Sequence, residues 1–210
     1  MRLGIFGGTF NPIHVGHLRA AEEVRERLGL DTVVFVPSSL PPHKELDHGV
    51  PGPVRLAMVE ASIRGNPCFQ VSPVEVERSG PSYSLLTIEH FRSLSGSVPY
   101  FLIGQDAFNE ISSWHRAKEV LAASHFAVMT RPGAPRPPVE KIIPEGMARF
   151  RPNGDGYVSE HGTEIIFVEV TQFAVSSSMV RRLCREGRSV RYLVSDGAHD
   201  IMTAGRIYRT

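Results

Sequence analysis

Two histidines three residues apart, His14 and His17, stand inside "GGTFNPIHVGHL", directly after the glycine pair Gly7 and Gly8. Imidazoles at this spacing share one face of a helix start. Aimed at one point, they can donate hydrogen bonds to phosphate oxygens and stabilise charge that grows there. Gly16 between them is expected to leave room for a ligand against the backbone. Glycines let a backbone approach a ligand closely and turn its N–H groups toward an anion. A helix start adds unpaired N–H groups and a positive dipole end. Glycine pair, loop and helix start together form an anion cradle. Three plainer alternatives stand beside it: capping histidines, a zinc pair, and a simple glycine turn. The zinc pair lacks a third ligand at a recognisable spacing.

A second constellation is "AVSSSMVRRL", with Ser176, Ser178 and Arg181. Serines at a helix N-terminus can cap it and bind phosphate, and an arginine one turn in can reach a triphosphate oxygen. Its plain alternative is an ordinary serine cap with a surface arginine. His43 and Lys44 lie on a proline-stiffened loop, "PSSLPPHKE", where a second phosphate can bind. Gly104 and Asp106 in "FLIGQDAF" end a strand, where an acid can hold ribose hydroxyls. Trp114, the single tryptophan, reads as a packing residue or as a flat platform for an aromatic ring.

These residues need a scaffold. Leu3 to Phe6 form a short apolar run, and Leu18, Ala21, Val24 and Leu28 recur at helical spacing up to Gly29. Thr32 to Ser38 is β-branched and strand-like. Strand, helix, strand is one parallel unit. The alternation continues: a helix over Pro53–Gly65, an extended stretch over Phe69–Glu77, and a helix over Ser82–Leu94. Strands follow at Val98–Gly104, His125–Thr130 and Glu164–Val170, then helices at Ser178–Glu186 and about His199–Ala204. The pattern predicts an α/β fold, a Rossmann-like, doubly wound and mainly parallel sheet with helices on both faces. One domain spans 1–210, with a C-terminal helical part at about 178–210. Arg131 to Gly162 breaks the rhythm with six prolines and five glycines. It reads as a surface excursion with one short helix near Val139.

The chain has 210 residues, 41% hydrophobic and 21% charged, with a net charge of +1. That balance gives no basic surface for nucleic acid or an anionic membrane. Cys68 and Cys184 form no C-x-x-C pattern and read as reduced structural thiols. No apolar run reaches the roughly 18 residues of a membrane span, and no signal peptide is recognisable. The expected location is the cytoplasm. Self-association is left open.

"GGTFNPIHVGHL" resembles the signature of the H-x-G-H nucleotidyltransferase superfamily. Val175 to Arg181 resembles its I-S-S-T-x-I-R motif, with Ser178 in place of threonine. Over most of the chain, outside 131–162, the sequence is similar to the bacterial nicotinate-nucleotide adenylyltransferases. The resemblance implies transfer of the adenylyl group of ATP to nicotinate mononucleotide, with Mg²⁺ carried on ATP and no metal ligand from the protein. It implies that His17 faces the α- and β-phosphates, helped by His14 and by Gly7, Gly8, Thr9 and Phe10. For that reaction, position and positive charge are expected from His14, His17, Lys44 and Arg181, with helix N-termini and Mg²⁺. Gly104, Asp106, Ser176, Ser178 and Arg181 would complete the ATP site. Trp114 would stack on the nicotinate ring, Thr87 with backbone near Tyr83 would hold its carboxylate, and His43 and Lys44 would lie near its phosphate. Three alternatives remain: adenylylation of nicotinamide mononucleotide, adenylylation of another phosphate-bearing acceptor such as phosphopantetheine, and a non-catalytic nucleotide sensor.

Overall fold

The computed structural model describes residues 1–39 and 50–209. It begins with β1 (Leu3–Gly8), α1 (Val15–Leu28) and β2 (Thr32–Pro37). Then come α2 (Gly52–Ile63), β3 (Phe69–Val71), α3 (Val74–Glu77) and α4 (Ser84–Ser95). Next are β4 (Tyr100–Gly104), α5 (Gln105–Phe108), a 3₁₀ turn at Ile111–Ser113, α6 (Ala117–Ala123) and β5 (His125–Thr130). The remainder is α7 (Val139–Ile142), β6 (Phe150–Asn153), β7 (Gly156–Ser159), β8 (Glu164–Glu169), α8 (Ser177–Arg185) and α9 (Asp196–Ala204).

The strands form one sheet in the order β3-β2-β1-β4-β5-β8-β7-β6. Pairing is parallel from β3 through β8, and β7 and β6 add antiparallel strands at the far edge. Alternate residues face opposite sides. Phe6, Val33 and Phe35 join a core with α1, α2, α8 and α9. Ile5, Val34 and Val36 join a second core with Leu85, Ile88, Phe108 and Leu121. Both faces are therefore covered, which explains why these strands are apolar throughout. The strand order reverses between β1 and β4, which run parallel, and that switch point is where open parallel sheets bind ligands.

Two segments depart from expectation. The stretch read as extended over Phe69–Glu77 is a three-residue strand followed by one helical turn, with Pro73 as the N-cap of α3. The excursion at 131–162 holds the expected short helix, α7, but its second half is the β6–β7 hairpin. Gly154 turns the hairpin with φ +57°. A Cβ on Gly156 would stand 2.4 Å from the Ile165 carbonyl oxygen, so only glycine lets β7 approach β8 there. Among the described residues, no helix is long and apolar enough to cross a membrane.

Candidate active site

A cleft of about 580 Å³ opens at the β1/β4 crossover. One wall is the end of β1 and the loop after it: Gly7, Gly8, Thr9 and Phe10, with His17 beside them. Gly104 and Asp106, where β4 runs into α5, also line it. The opposite wall carries Trp114, His115, Tyr83 and Ser84.

The two histidines differ in their exposure to the cleft. His14 is the N-cap of α1, and its ring stacks on that of His17, centroids 3.6 Å apart and planes 24° apart. His17 lines the cleft, whereas His14 lies behind it and is buried. The backbone N–H of His14 donates to His17 Nδ1 at 3.2 Å. An accepting Nδ1 carries no proton, so neutral His17 holds its proton on Nε2. Burial pushes the His14 imidazole down to about 4. Burial, and then the His14 ring beside it, hold His17 well below 6.5 as well. Both rings are thus neutral at pH 7. The expectation that they supply positive charge is corrected: His17 offers an N–H donor. Gly16 is needed for packing, since a Cβ there would stand 3.1 Å from His14 Nδ1 and 3.2 Å from Val175. The first N–H of α1, on Val15, is taken by the Leu193 carbonyl at 3.0 Å.

The second motif docks on the back of the loop. Ser176 caps α8 by accepting from the Met179 N–H at 3.2 Å, and Ser178 shares a 3.0 Å bond with it. Ser177 Oγ donates to the Pro12 carbonyl at 2.8 Å, and Arg181 Nη1 donates to the Asn11 carbonyl at 2.8 Å. Ser176, Ser178 and Arg181 are not on the cleft wall. Through its Nη1, Arg181 holds the loop from the α8 side.

A Cβ built on Gly104 meets nothing within 4 Å. The protein does not need glycine there for packing, and the vacant volume opens on the cleft. Asp106 is exposed and lies 3.8 Å from Arg131 in a surface ion pair. Gln105 Nε2 donates to the Pro135 carbonyl at 2.7 Å, which ties the start of the 131–162 segment to the cleft's edge.

Trp114 is half-buried, its ring edge-on to Phe101 at 6.0 Å, and one side lines the cleft. Tyr83 is the N-cap of α4 and stacks on His115 at 4.1 Å. Thr87 corrects the expectation placed on it. It is 1% exposed and donates to Glu75 Oε1 at 2.5 Å, so its hydroxyl is committed below the surface. The group from α4 that reaches the cleft is Ser84, the first helical residue. Tyr83 makes no side-chain cap, so the N–H groups of the first turn keep the anion-binding character of a helix start. His43 and Lys44 lie outside the described residues.

Sequence reasoning missed Glu75, Ser84 and His115 on this wall. Glu75 is buried, and burial raises its carboxyl pKa against hydrogen bonds from Thr87 and Ser82. Ser82 Oγ also accepts from the Ser39 N–H at 2.9 Å, so the network joins the end of β2 to the start of α4. The N-cap position before "SLLTIEHF" was the available signal for Ser84. For Glu75 there was none.

Comparison with known proteins agrees with this geometry. The Cytidylyltransferase-like family profile matches residues 5–183. A probable nicotinate-nucleotide adenylyltransferase of Geobacter metallireducens is 39% identical, covering 99% of this chain and 98% of the relative. One of Pseudomonas putida is 40% identical over 99% of this chain and 95% of its own length. Among solved structures, Plasmodium falciparum nicotinic acid mononucleotide adenylyltransferase complexed with NaAD has the same fold. It superposes with a TM-score of 0.71 at 16% identity, covering 99% of this chain and 97% of that one. The chain belongs to the nicotinate-nucleotide adenylyltransferases, within the cytidylyltransferase-like family.

Proposed function

We propose that the chain transfers the adenylyl group of ATP to nicotinate mononucleotide, giving nicotinate adenine dinucleotide and pyrophosphate, a step of NAD biosynthesis. The observation that carries this is the two-sided cleft at the β1/β4 crossover. A phosphate-binding loop with an N–H-donating His17 stands on one wall, and an aromatic platform beside a helix start stands on the other.

The substrate is MgATP, whose ion is held by phosphate oxygens and water. Its triphosphate lies along Gly7 to Phe10. An oxygen of the mononucleotide phosphate attacks the α-phosphorus, a new P–O bond forms, and the bond to pyrophosphate breaks. A phosphate monoester has its second pKa near ~6, so the nucleophile is already ionised and no general base is needed. The protein supplies alignment and charge stabilisation. His17 Nε2–H donates to a phosphate oxygen, and as a neutral donor it adds no proton to the reaction. The nicotinate ring lies on Trp114, and its carboxylate meets the backbone N–H groups at the start of α4, around Ser84. Gly104 and Asp106 lie along the nucleotide, while Arg181, Ser176 and Ser178 secure the loop from α8. His43 and Lys44 take the acceptor phosphate. The reaction is cytoplasmic, in keeping with free Cys68 and Cys184.

The test is pyrophosphate release with ATP and Mg²⁺, comparing nicotinate mononucleotide with nicotinamide mononucleotide. Fast release with the acid and little with the amide is expected. Faster release with the amide refutes the assignment of the helix start to a carboxylate, and release with neither refutes the reaction.

A further inference from the structure

Arg55 has no exposed surface, although it sits on α2 among apolar residues. Its guanidinium faces backbone carbonyls: Nη1 donates to Thr9 O at 2.6 Å and Nε to Val50 O at 3.2 Å. The ionisable group that acts on it among the described residues is the phenol of Tyr208, not a carboxylate. A buried cation with no acid against it among the described residues is costly, and such violations concentrate at functional sites.

Thr9 lies on the cleft wall, and Arg55 approaches it from the core. The Thr9–Phe10 peptide is trans, so the Phe10 N–H points opposite to the Thr9 carbonyl. With that carbonyl drawn inward, the N–H turns toward the cleft. A charge-assisted bond to the carbonyl also polarises the whole peptide unit. Phe10 itself holds φ +44°, a left-handed conformation that a non-glycine residue keeps only where its surroundings enforce it. Its ring stands edge-on to His17, centroids 5.3 Å apart, so the loop's conformation also sets the wall behind that donor. Tyr208 braces the next residue from the same side, its hydroxyl donating to Asn11 Oδ1. Burial pushes the Tyr208 phenol up, so it keeps the proton it donates.

We propose that Arg55, helped by Tyr208 on the neighbouring Asn11, is the positioning residue of the phosphate loop. It holds the Thr9–Phe10 peptide with its N–H toward the cleft, and it stores behind the loop a positive charge whose counter-ion is the bound phosphate. This rests on the reading of that loop as the triphosphate site.

The experiment compares Arg55→Met, Arg55→Lys and Tyr208→Phe with the unaltered chain in two assays. One is the rise in Tm caused by pyrophosphate with Mg²⁺, which needs no acceptor. The other is initial rate with ATP and nicotinate mononucleotide varied separately. Arg55→Met is expected to lose the pyrophosphate-induced rise and about tenfold or more in kcat/KM for ATP. KM for the mononucleotide should move less than about twofold, because Trp114 and α4 are untouched. Arg55→Lys keeps the charge but not the fork, and should recover part of the loss. Tyr208→Phe should show a smaller loss of the same kind. A merely structural arginine would lower the starting Tm and leave the pyrophosphate-induced rise and the KM values unchanged, and that result overturns the proposal. If Arg55→Met does not fold, Arg55→Lys and Tyr208→Phe decide: unaltered pyrophosphate response in both overturns it. If the unaltered chain responds to pyrophosphate but does not turn over the mononucleotide, the proposed reaction fails. The contrast between the unaltered chain and the Arg55 variants in pyrophosphate response still decides the positioning role.

Discussion

Acid should destabilise this fold through His14 before it affects most carboxylates. The His14 imidazole titrates at about 4 in the folded chain against 6.5 unfolded, because burial penalises its charged form. The folded state therefore binds this proton about 2.5 pH units lower, and at ~1.36 kcal/mol per unit the linkage is about 3 kcal/mol. With the folded pKa below the unfolded one, this stability is complete above about pH 6.5. It falls as pH drops toward about 4 and is gone below that. His17 is shifted in the same direction, so its contribution adds to the slope. Glu75 works in the opposite sense, since its raised pKa favours the folded state when it is protonated. A variant removes that ambiguity. Urea unfolding of the unaltered chain and of His14→Gln, between about pH 7 and about pH 4.5, gives two stability curves. The unaltered chain should lose up to ~1.4 kcal/mol per pH unit more than the variant in this window. Parallel curves would refute the argument that burial keeps the stacked pair neutral.

Three further outcomes follow from the cleft. His17→Ala should cut kcat by roughly 10²–10³ without altering the far-ultraviolet circular dichroism, since it removes one transition-state donor; near-normal turnover would dismiss that role. Gly104→Ala should fold with an unchanged Tm, because a Cβ meets nothing within 4 Å, yet weaken nucleotide binding measured by calorimetry. Unchanged binding would show that no ligand occupies that space. Trp114→Ala should raise KM for nicotinate mononucleotide while leaving KM for ATP within about twofold, and a rise confined to ATP would contradict the stacking assignment.

What the sequence made legible was local. The glycine pair, the two histidines and the start of α1 fall within a dozen residues, so their proximity in the cleft required no knowledge of tertiary contacts. Strands and helices were readable from period because both sheet faces are buried. Where periodicity misled, a short-range feature had competed with it. Val71, Val74 and Val76 suggest an extended stretch, but Pro73 starts a helical turn that buries Glu75. Gly154-Asp155, the two-residue loop between the paired Asn153 and Gly156, was a hairpin signal, obscured by the prolines before it. Arg55 was illegible for a different reason. A charged residue within a helix reads as surface, and this one is buried by bonding to the carbonyl of Thr9, forty-six positions earlier. Thr87 and Arg181 were placed by motif, and motifs do not specify which way a side chain turns.

The loop from Thr9 to Pro12 is held by partners remote in sequence. Ser177 bonds to it across 165 positions, Arg181 across 170 and Tyr208 across 197. Contacts of such separation form only after the intervening chain has collapsed, and they are entropically the slowest to close. Catalytic competence should therefore be the last property to appear during refolding. A collapsed species with Trp114 already packed on Phe101 would lack a finished phosphate loop, so recovery of activity should lag behind recovery of tryptophan fluorescence.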